Sequence, residues 1–180
     1  MQLEMKICST RDLEIRLPRL PRPLVMTNGV FDVLHRGHVS YLHQAAALGE
    51  ALLVAVNSDS STRLLGKGLD RPLNKAEDRA HVLAGLASVD MLIIFDERTP
   101  IELIKTIRPD IYVKGGDYDM EMLEETQVVR SWGGKSLSIP FVNGFSTTAF
   151  VDRIRQTQVS LRHSDFIERD DTKKSANAED

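Results

Sequence analysis

His35 and His38 stand three residues apart in the stretch Thr27-Asn28-Gly29-Val30-Phe31-Asp32-Val33-Leu34-His35-Arg36-Gly37-His38, with glycines at 29 and 37. Imidazoles donate hydrogen bonds and carry positive charge close to neutral pH, and side chains at this spacing on a helix start can face one side. If a helix begins near Gly37, its first-turn amides have no partner within the helix and lie at the positive end of the dipole, where a polyphosphate is stabilised. The two glycines let phosphate oxygens approach the backbone. The chemistry this suits is stabilisation of charge that builds up on a phosphoryl group, with His35 and His38 as the catalytic pair. A lone histidine is more often a satisfied structural residue, and His43 and His81, without such surroundings, are read that way. Asp32 reads equally as a metal-linked or a turn-stabilising carboxylate, and Phe31 and Leu34 read as core.

This stretch needs a strand before it and a helix after it. Short apolar runs at 24–26, 51–56, 91–95 and 111–113 are bounded by Gly, Asn, Ser, Pro or Asp, the pattern of strands buried on both faces. Between them, Val39, Leu42 and Ala46, then Val82, Leu83 and Leu86, recur at helical spacing. Thr99, Pro100 and Glu102 read as a cap, a first-turn proline and a capping-box acid, and Asn74 with Glu77 repeats the device. Residues 138–142 predict a last strand. Residues 146–155 predict a last helix with Phe150, Val151 and Ile154 inward. Strands alternating with helices predict a single-domain α/β fold, a Rossmann-like doubly wound parallel sheet, with ligands at the carboxyl ends of the strands. Lys114 and Asp117 leave a predicted strand at that edge, where Lys114 can neutralise phosphate and Asp117 can hold a ribose or a metal-bound water; a solvated strand end is the plainer reading. Lys67 and Arg71 fall in a Gly-containing loop suited to a basic lid, or are simply exposed charges.

With 180 residues and 42% hydrophobic composition, the chain has enough apolar surface for one ordinary core. A net charge of -3 gives no basic footprint for nucleic acid, and no run of residues approaches a membrane span. The single cysteine, Cys8, excludes an internal disulfide and a multi-thiolate zinc site, which suits the cytosol. Residues 1–23, with Pro18, Pro21 and Pro23, are expected as an N-terminal surface extension. Residues 24–157 are expected as the folded domain, and 158–180 as a tail too polar to order itself.

"GVFDVLHRGH" at 29–38 resembles the signature of the HxGH nucleotidyltransferases. "VNSD" at 56–59, "RPLNKAEDR" at 71–79, "VD" at 89–90, "VKGGDY" at 113–118 and "GFSTT" at 144–148 resemble, in order, the branch that adenylylates heptose 1-phosphates. The resemblance implies that His35 and His38 stabilise the transition state at the α-phosphorus of ATP. It implies nucleotide contacts from Thr27, Asn28, Gly29, Phe31, Gly37, Lys114, Gly116, Asp117, Ser146, Thr147 and Thr148, with phosphate or substrate contacts open to Asp32, Lys67, Arg71 and Arg79. It further implies D-glycero-β-D-manno-heptose 1-phosphate as acceptor, Mg2+ carried mainly by the triphosphate, no protein metal cage, and a homo-oligomer such as a dimer. Members occur alone or fused to a kinase, and this chain has the length of the separate form. Plain readings stay open beside these: a helix cap and a surface charge for Glu77 and Arg79, and an N-cap for Ser146 to Thr148. One departure is that Ala149 and Phe150 follow the hydroxyl cluster where many members place an arginine; the next here is Arg153. Two other functions share these motifs, a cytidylyltransferase for glycerol phosphate or a similar alcohol phosphate, and a non-catalytic nucleotide-sensing module.

Overall fold

The structure, a computed structural model, describes residues 3–66, 70–140, 144 and 147–160, without the side chains of 155, 156 and 158–160. Leu24, Val25, Met26 and Thr27 are at most 1% exposed, which requires a strand covered on both faces. They begin β2 (Leu24–Gly29), which pairs in parallel with β3 (Ala51–Asn57) on one side and β5 (Ile111–Gly115) on the other. With β1 (Ile7–Cys8), β4 (Met91–Phe95) and β6 (Lys135–Ile139), they form a six-stranded parallel sheet ordered β1-β4-β3-β2-β5-β6.

Alternation along the strands divides the core in two. Val25, Leu52, Val54, Leu92 and Val113 face Tyr41, Leu42 and Ala45 of α2 (Arg36–Ala46) and Leu83 of α4 (Ala76–Ala84). Leu24, Met26, Leu53, Ile93 and Tyr112 face Ile104 and Ile107 of α5 (Ile101–Ile107) and Val129 of α6 (Glu124–Arg130). Winding goes outward from β2 through β3 to β4, then crosses to β5 and β6 on the other side. The reversal leaves a crevice between the carboxyl ends of β2 and β5, where doubly wound sheets bind ligands. The α/β fold expected from the alternation is found.

Several local expectations are corrected. The N-terminal stretch is integrated rather than superficial: Ile7 and Cys8 pair with Leu92 and Ile93, and Cys8 and Leu13 of α1 (Leu13–Arg16) are each 3% exposed. Pro100, not Thr99, is the N-cap of α5, and Glu102 pairs with Lys105 instead of closing a capping box. Val39 and Val82 are exposed, because Tyr41 and Ala80 take the inward positions. The last strand starts earlier, at Lys135.

A second unit begins after residue 145; in it Thr147–Ser160 make helix α7, where Phe150 and Ile154 are exposed rather than inward. The expected tail, beyond 160, lies outside the described residues. Among those residues no helix is long and apolar enough to cross a membrane.

Candidate active site

The histidine loop runs from the end of β2 into α2. His35 is the N-cap of that helix in extended conformation (φ -140, ψ 171), and the first helical hydrogen bond joins the Val39 N–H to its carbonyl at 3.2 Å. The helix therefore starts within a residue of its expected place. The His35 and His38 rings stack with centroids 3.9 Å apart and planes inclined by 23°. Phe31 meets His38 edge-on at 5.4 Å, and its own backbone is left-handed, φ 50. That conformation costs a non-glycine residue about 1–3 kcal/mol and persists only where the surroundings impose it. Gly29 leaves the room that the ring occupies, since a Cβ there would lie 2.9 Å from Cε2 of Phe31. Burial lowers the His35 pKa below its ordinary value, partly opposed by a backbone hydrogen bond, which favours a neutral ring at pH 7.

Asp32 resolves its two readings toward structure. Its Oδ1 accepts the Leu73 and Asn74 backbone N–H groups at 2.8 and 3.0 Å, and Nη1 of Arg71 meets Oδ2 at 2.7 Å. The Asn74 side chain returns a bond to the Asp32 carbonyl at 2.5 Å. Burial raises the Asp32 pKa, but the Asn74 amide, the Arg71 guanidinium and the Leu73 amide together hold it below the ordinary range. Arg71 is thus committed to Asp32. Asn74 is no helix cap, since the N-cap of α4 is Lys75.

Arg79 is neither a surface charge nor placed for phosphate. It is 2% exposed, and its three nitrogens donate to the Asn74 and Val30 carbonyls and to Asp59 at 2.9, 2.6 and 2.8 Å. It ties the histidine loop to the 71–74 segment and to α3 (Asp59–Leu64). Lys67 lies outside the described residues.

The Thr27 hydroxyl is engaged within the fold. The side chain is buried on the α2 face, with Oγ1 2.5 Å from the Tyr41 hydroxyl, which donates to the Val113 carbonyl at 3.1 Å. The single Tyr41 proton goes to that carbonyl, so Thr27 donates to Tyr41 and anchors β2, β5 and α2 rather than offering its hydroxyl to a ligand. Asn28 points to the opposite face, as the two-residue strand period requires. Its Oδ1 accepts the Tyr112 hydroxyl at 2.6 Å and the Lys114 ammonium at 3.2 Å. Lys114 also lies 3.6 Å from Oε1 of Glu125 and 5.8 and 5.7 Å from the ring centroids of Tyr112 and Tyr118. An ammonium has only donors, so the Asn28 oxygen must face it and the amide NH2 points away. Gly116 has φ 119 and donates to the Ile139 carbonyl at 2.9 Å, turning Asp117 out as an exposed side chain.

The structure thus brings His35, His38, Phe31, Gly29 and Gly37 together on the α2 side of the crevice and Asn28 and Lys114 on the α6 side, with Gly116 just beyond the end of β5. Thr147 and Thr148 lie in the first turn of α7, within the other unit; Ser146 lies outside the described residues. Sequence reasoning missed Tyr41, Tyr112 and Glu125. Glu125 was findable: it precedes buried Val129 by four residues, an acid on the apolar stripe of a helix. Among the described residues no three His, Cys, Asp or Glu side chains converge as metal ligands.

Residues 26–161 match the family described as cytidylyltransferase-like. The chain is 59% identical over 157 residues to a D-beta-D-heptose 1-phosphate adenylyltransferase of Bordetella bronchiseptica, covering 86% of this chain and 97% of that one. It is 49% identical over 142 residues to the bifunctional protein HldE of Koribacter versatilis, covering 79% of this chain and 29% of that longer protein. Among solved structures, a lipopolysaccharide core biosynthesis protein of Thermoplasma volcanium superposes with TM-score 0.56 at 30% identity, over 66% of this chain and 95% of that one. A pantothenate synthetase of Thermus thermophilus, at 18% identity and TM-score 0.55 over 77% of this chain and 62% of that one, shares the fold.

Proposed function

Because this chain belongs to the cytidylyltransferase-like family, we propose that it transfers the adenylyl group of ATP to a heptose 1-phosphate, giving ADP-heptose and pyrophosphate. The observation that carries this reading is the stacked His35–His38 pair, 3.9 Å between centroids, at the start of α2 and just beyond the end of β2. The likeness to a heptose 1-phosphate adenylyltransferase over 97% of that enzyme's length supports the acceptor. The product, a nucleotide-activated heptose, serves surface-glycan assembly such as the lipopolysaccharide core.

An oxygen of the sugar phosphate attacks the α-phosphorus of ATP in line. The bond from that phosphorus to the bridging oxygen breaks, and its electron pair leaves with pyrophosphate. The attacking oxygen is already ionised at neutral pH, so no general base is required and catalysis rests on positioning and charge stabilisation. His35 and His38 donate to the oxygens on which charge develops, beside the positive end of the α2 dipole. The Asn28 amide and Lys114 bind phosphate oxygens from the other side of the crevice. Lys67 is assigned to the β and γ phosphates and Asp117 to the ribose. Magnesium, when bound, would neutralise phosphate charge and would be held largely by the triphosphate and water.

Pyrophosphate release is the test, measured with ATP and CTP against heptose 1-phosphates, other sugar 1-phosphates and glycerol phosphate. Release from ATP with a heptose 1-phosphate is expected. Equal or better turnover of CTP with glycerol phosphate would make the chain a cytidylyltransferase, and no release with any pair would make it a nucleotide-binding module.

A further inference from the structure

Glu125 has no part in the reaction as drawn, yet it is 8% exposed in the first turn of α6, where neighbouring Glu124 is open to solvent. An acid needing only the favourable end of the helix dipole could sit outside as Glu124 does. A buried carboxylate is costly unless a cation meets it. Here that cation is Lys114, at 3.6 Å, with side chains 11% and 16% exposed.

We propose that Glu125 is a positioning residue for the transfer: it holds the Lys114 ammonium against Asn28 and so fixes two phosphate-facing donors on the α6 side of the crevice. This rests on the adenylyltransfer reading above. Lys114 has a flexible four-carbon stem, and its ordering otherwise falls to the substrate. In the folded chain the amine is held by the Asn28 oxygen at 3.2 Å, by Glu125, and near the Tyr112 and Tyr118 rings. The ammonium in turn orients Asn28, because the carboxamide must present oxygen to it and NH2 elsewhere. Glu125 also cancels part of the positive charge that Lys114 offers to ATP. Its effect therefore falls on geometry during transfer rather than on ground-state attraction.

Four variants test this: Glu125→Gln, Glu125→Asp, Lys114→Met, and Lys114→Met with Glu125→Gln. Melting temperature verifies folding, calorimetry gives the ATP Kd, steady-state assays give kcat, and acetic anhydride labelling read by mass spectrometry reports the Lys114 amine without any need for turnover. Glu125→Gln should lower kcat roughly tenfold, less than the full cost of breaking a buried ion pair, leave ATP Kd unchanged or tighter, and speed Lys114 labelling. Glu125→Asp should recover part of the kcat. Beside Lys114→Met, the Glu125→Gln change should cost nothing further, because its action passes through that lysine. Unchanged kcat in Glu125→Gln, an equal loss in both lysine backgrounds, or an unchanged labelling rate would each overturn the proposal. Absence of adenylyltransfer by the unaltered chain would instead refute the reaction, leaving labelling to decide whether Glu125 holds Lys114.

Discussion

A Cβ on Gly29 would come 2.9 Å from Cε2 of Phe31, the ring that meets His38 edge-on at 5.4 Å. Space left by one residue thus sets the ring against which a catalytic imidazole rests. Gly29→Ala should push the Phe31 ring aside, and because Phe31 is 8% exposed in a left-handed backbone it has little room to yield. Overpacking of this kind costs about 1–3 kcal/mol. Turnover should fall more than stability, which paired measurement of kcat and Tm checks; unchanged kcat would show that His38 does not depend on Phe31.

Asp32 makes stability depend on acid pH. An unfolded aspartate takes up its proton at about pH 4, while the folded carboxyl, held by Asn74, Arg71 and Leu73, takes it up only at lower pH. Between those values the unfolded chain binds more protons, so the contribution of Asp32 is complete above about pH 4 and is lost as pH falls through the folded value. Asp32→Asn should cost about 1–3 kcal/mol at neutral pH, as expected for buried donors losing a charged acceptor. Denaturation curves at pH 7 and pH 3 should show the variant's deficit shrinking in acid.

Arg79→Met should be the most destabilising change among the candidate site residues. It would strip partners from the Val30 and Asn74 carbonyls and from Asp59 around a guanidinium 2% exposed. Removing one member of a fully buried pair costs about 3–5 kcal/mol, and the loss here should approach the lower end because the Asp59 side chain is 30% exposed. A loss below roughly 1 kcal/mol, the worth of an exposed pair, would show that these bonds are not formed in solution.

How far the sequence reveals this molecule depends on how local each signal is. β3 is legible because all seven of its residues are buried, so both faces read apolar without reference to a partner. The histidine loop is legible because glycine, histidine and helix start lie within one short stretch. β1 is hidden: two residues carry no period, and only pairing with β4 makes Ile7–Cys8 a strand. Asn74 was misread because local capping grammar and a long-range clamp use the same amide, and its true partner, Asp32, is 42 residues away. Arg79 failed for a related reason: a charge in sequence looks solvated until the opposite charge packed against it is known.

His35 and His38, 3.9 Å apart, address the same phosphoryl group in the proposed reaction, and charge grows on that group only as transfer proceeds. Replacing either with Ala should therefore lower kcat roughly a hundredfold or more, about 2.7–4 kcal/mol for one preorganised donor, while ATP Kd changes much less. The double variant should lose less than the two single losses combined, since neither donor acts alone on that charge. Stability should respond to pH in a way that identifies His35: its folded pKa is lowered by burial, so as pH drops below about 6.5 the unfolded chain takes up a proton that the folded ring resists. Stability held above that pH is lost as pH falls through the folded value, and His35→Ala should flatten this part of the profile. Steady-state kinetics, calorimetric ATP affinity and denaturation at pH 7.5 and pH 5.5 test the set. A folded His38→Ala protein that keeps its kcat, or loses only ATP affinity, would show that the histidines bind or support rather than catalyse.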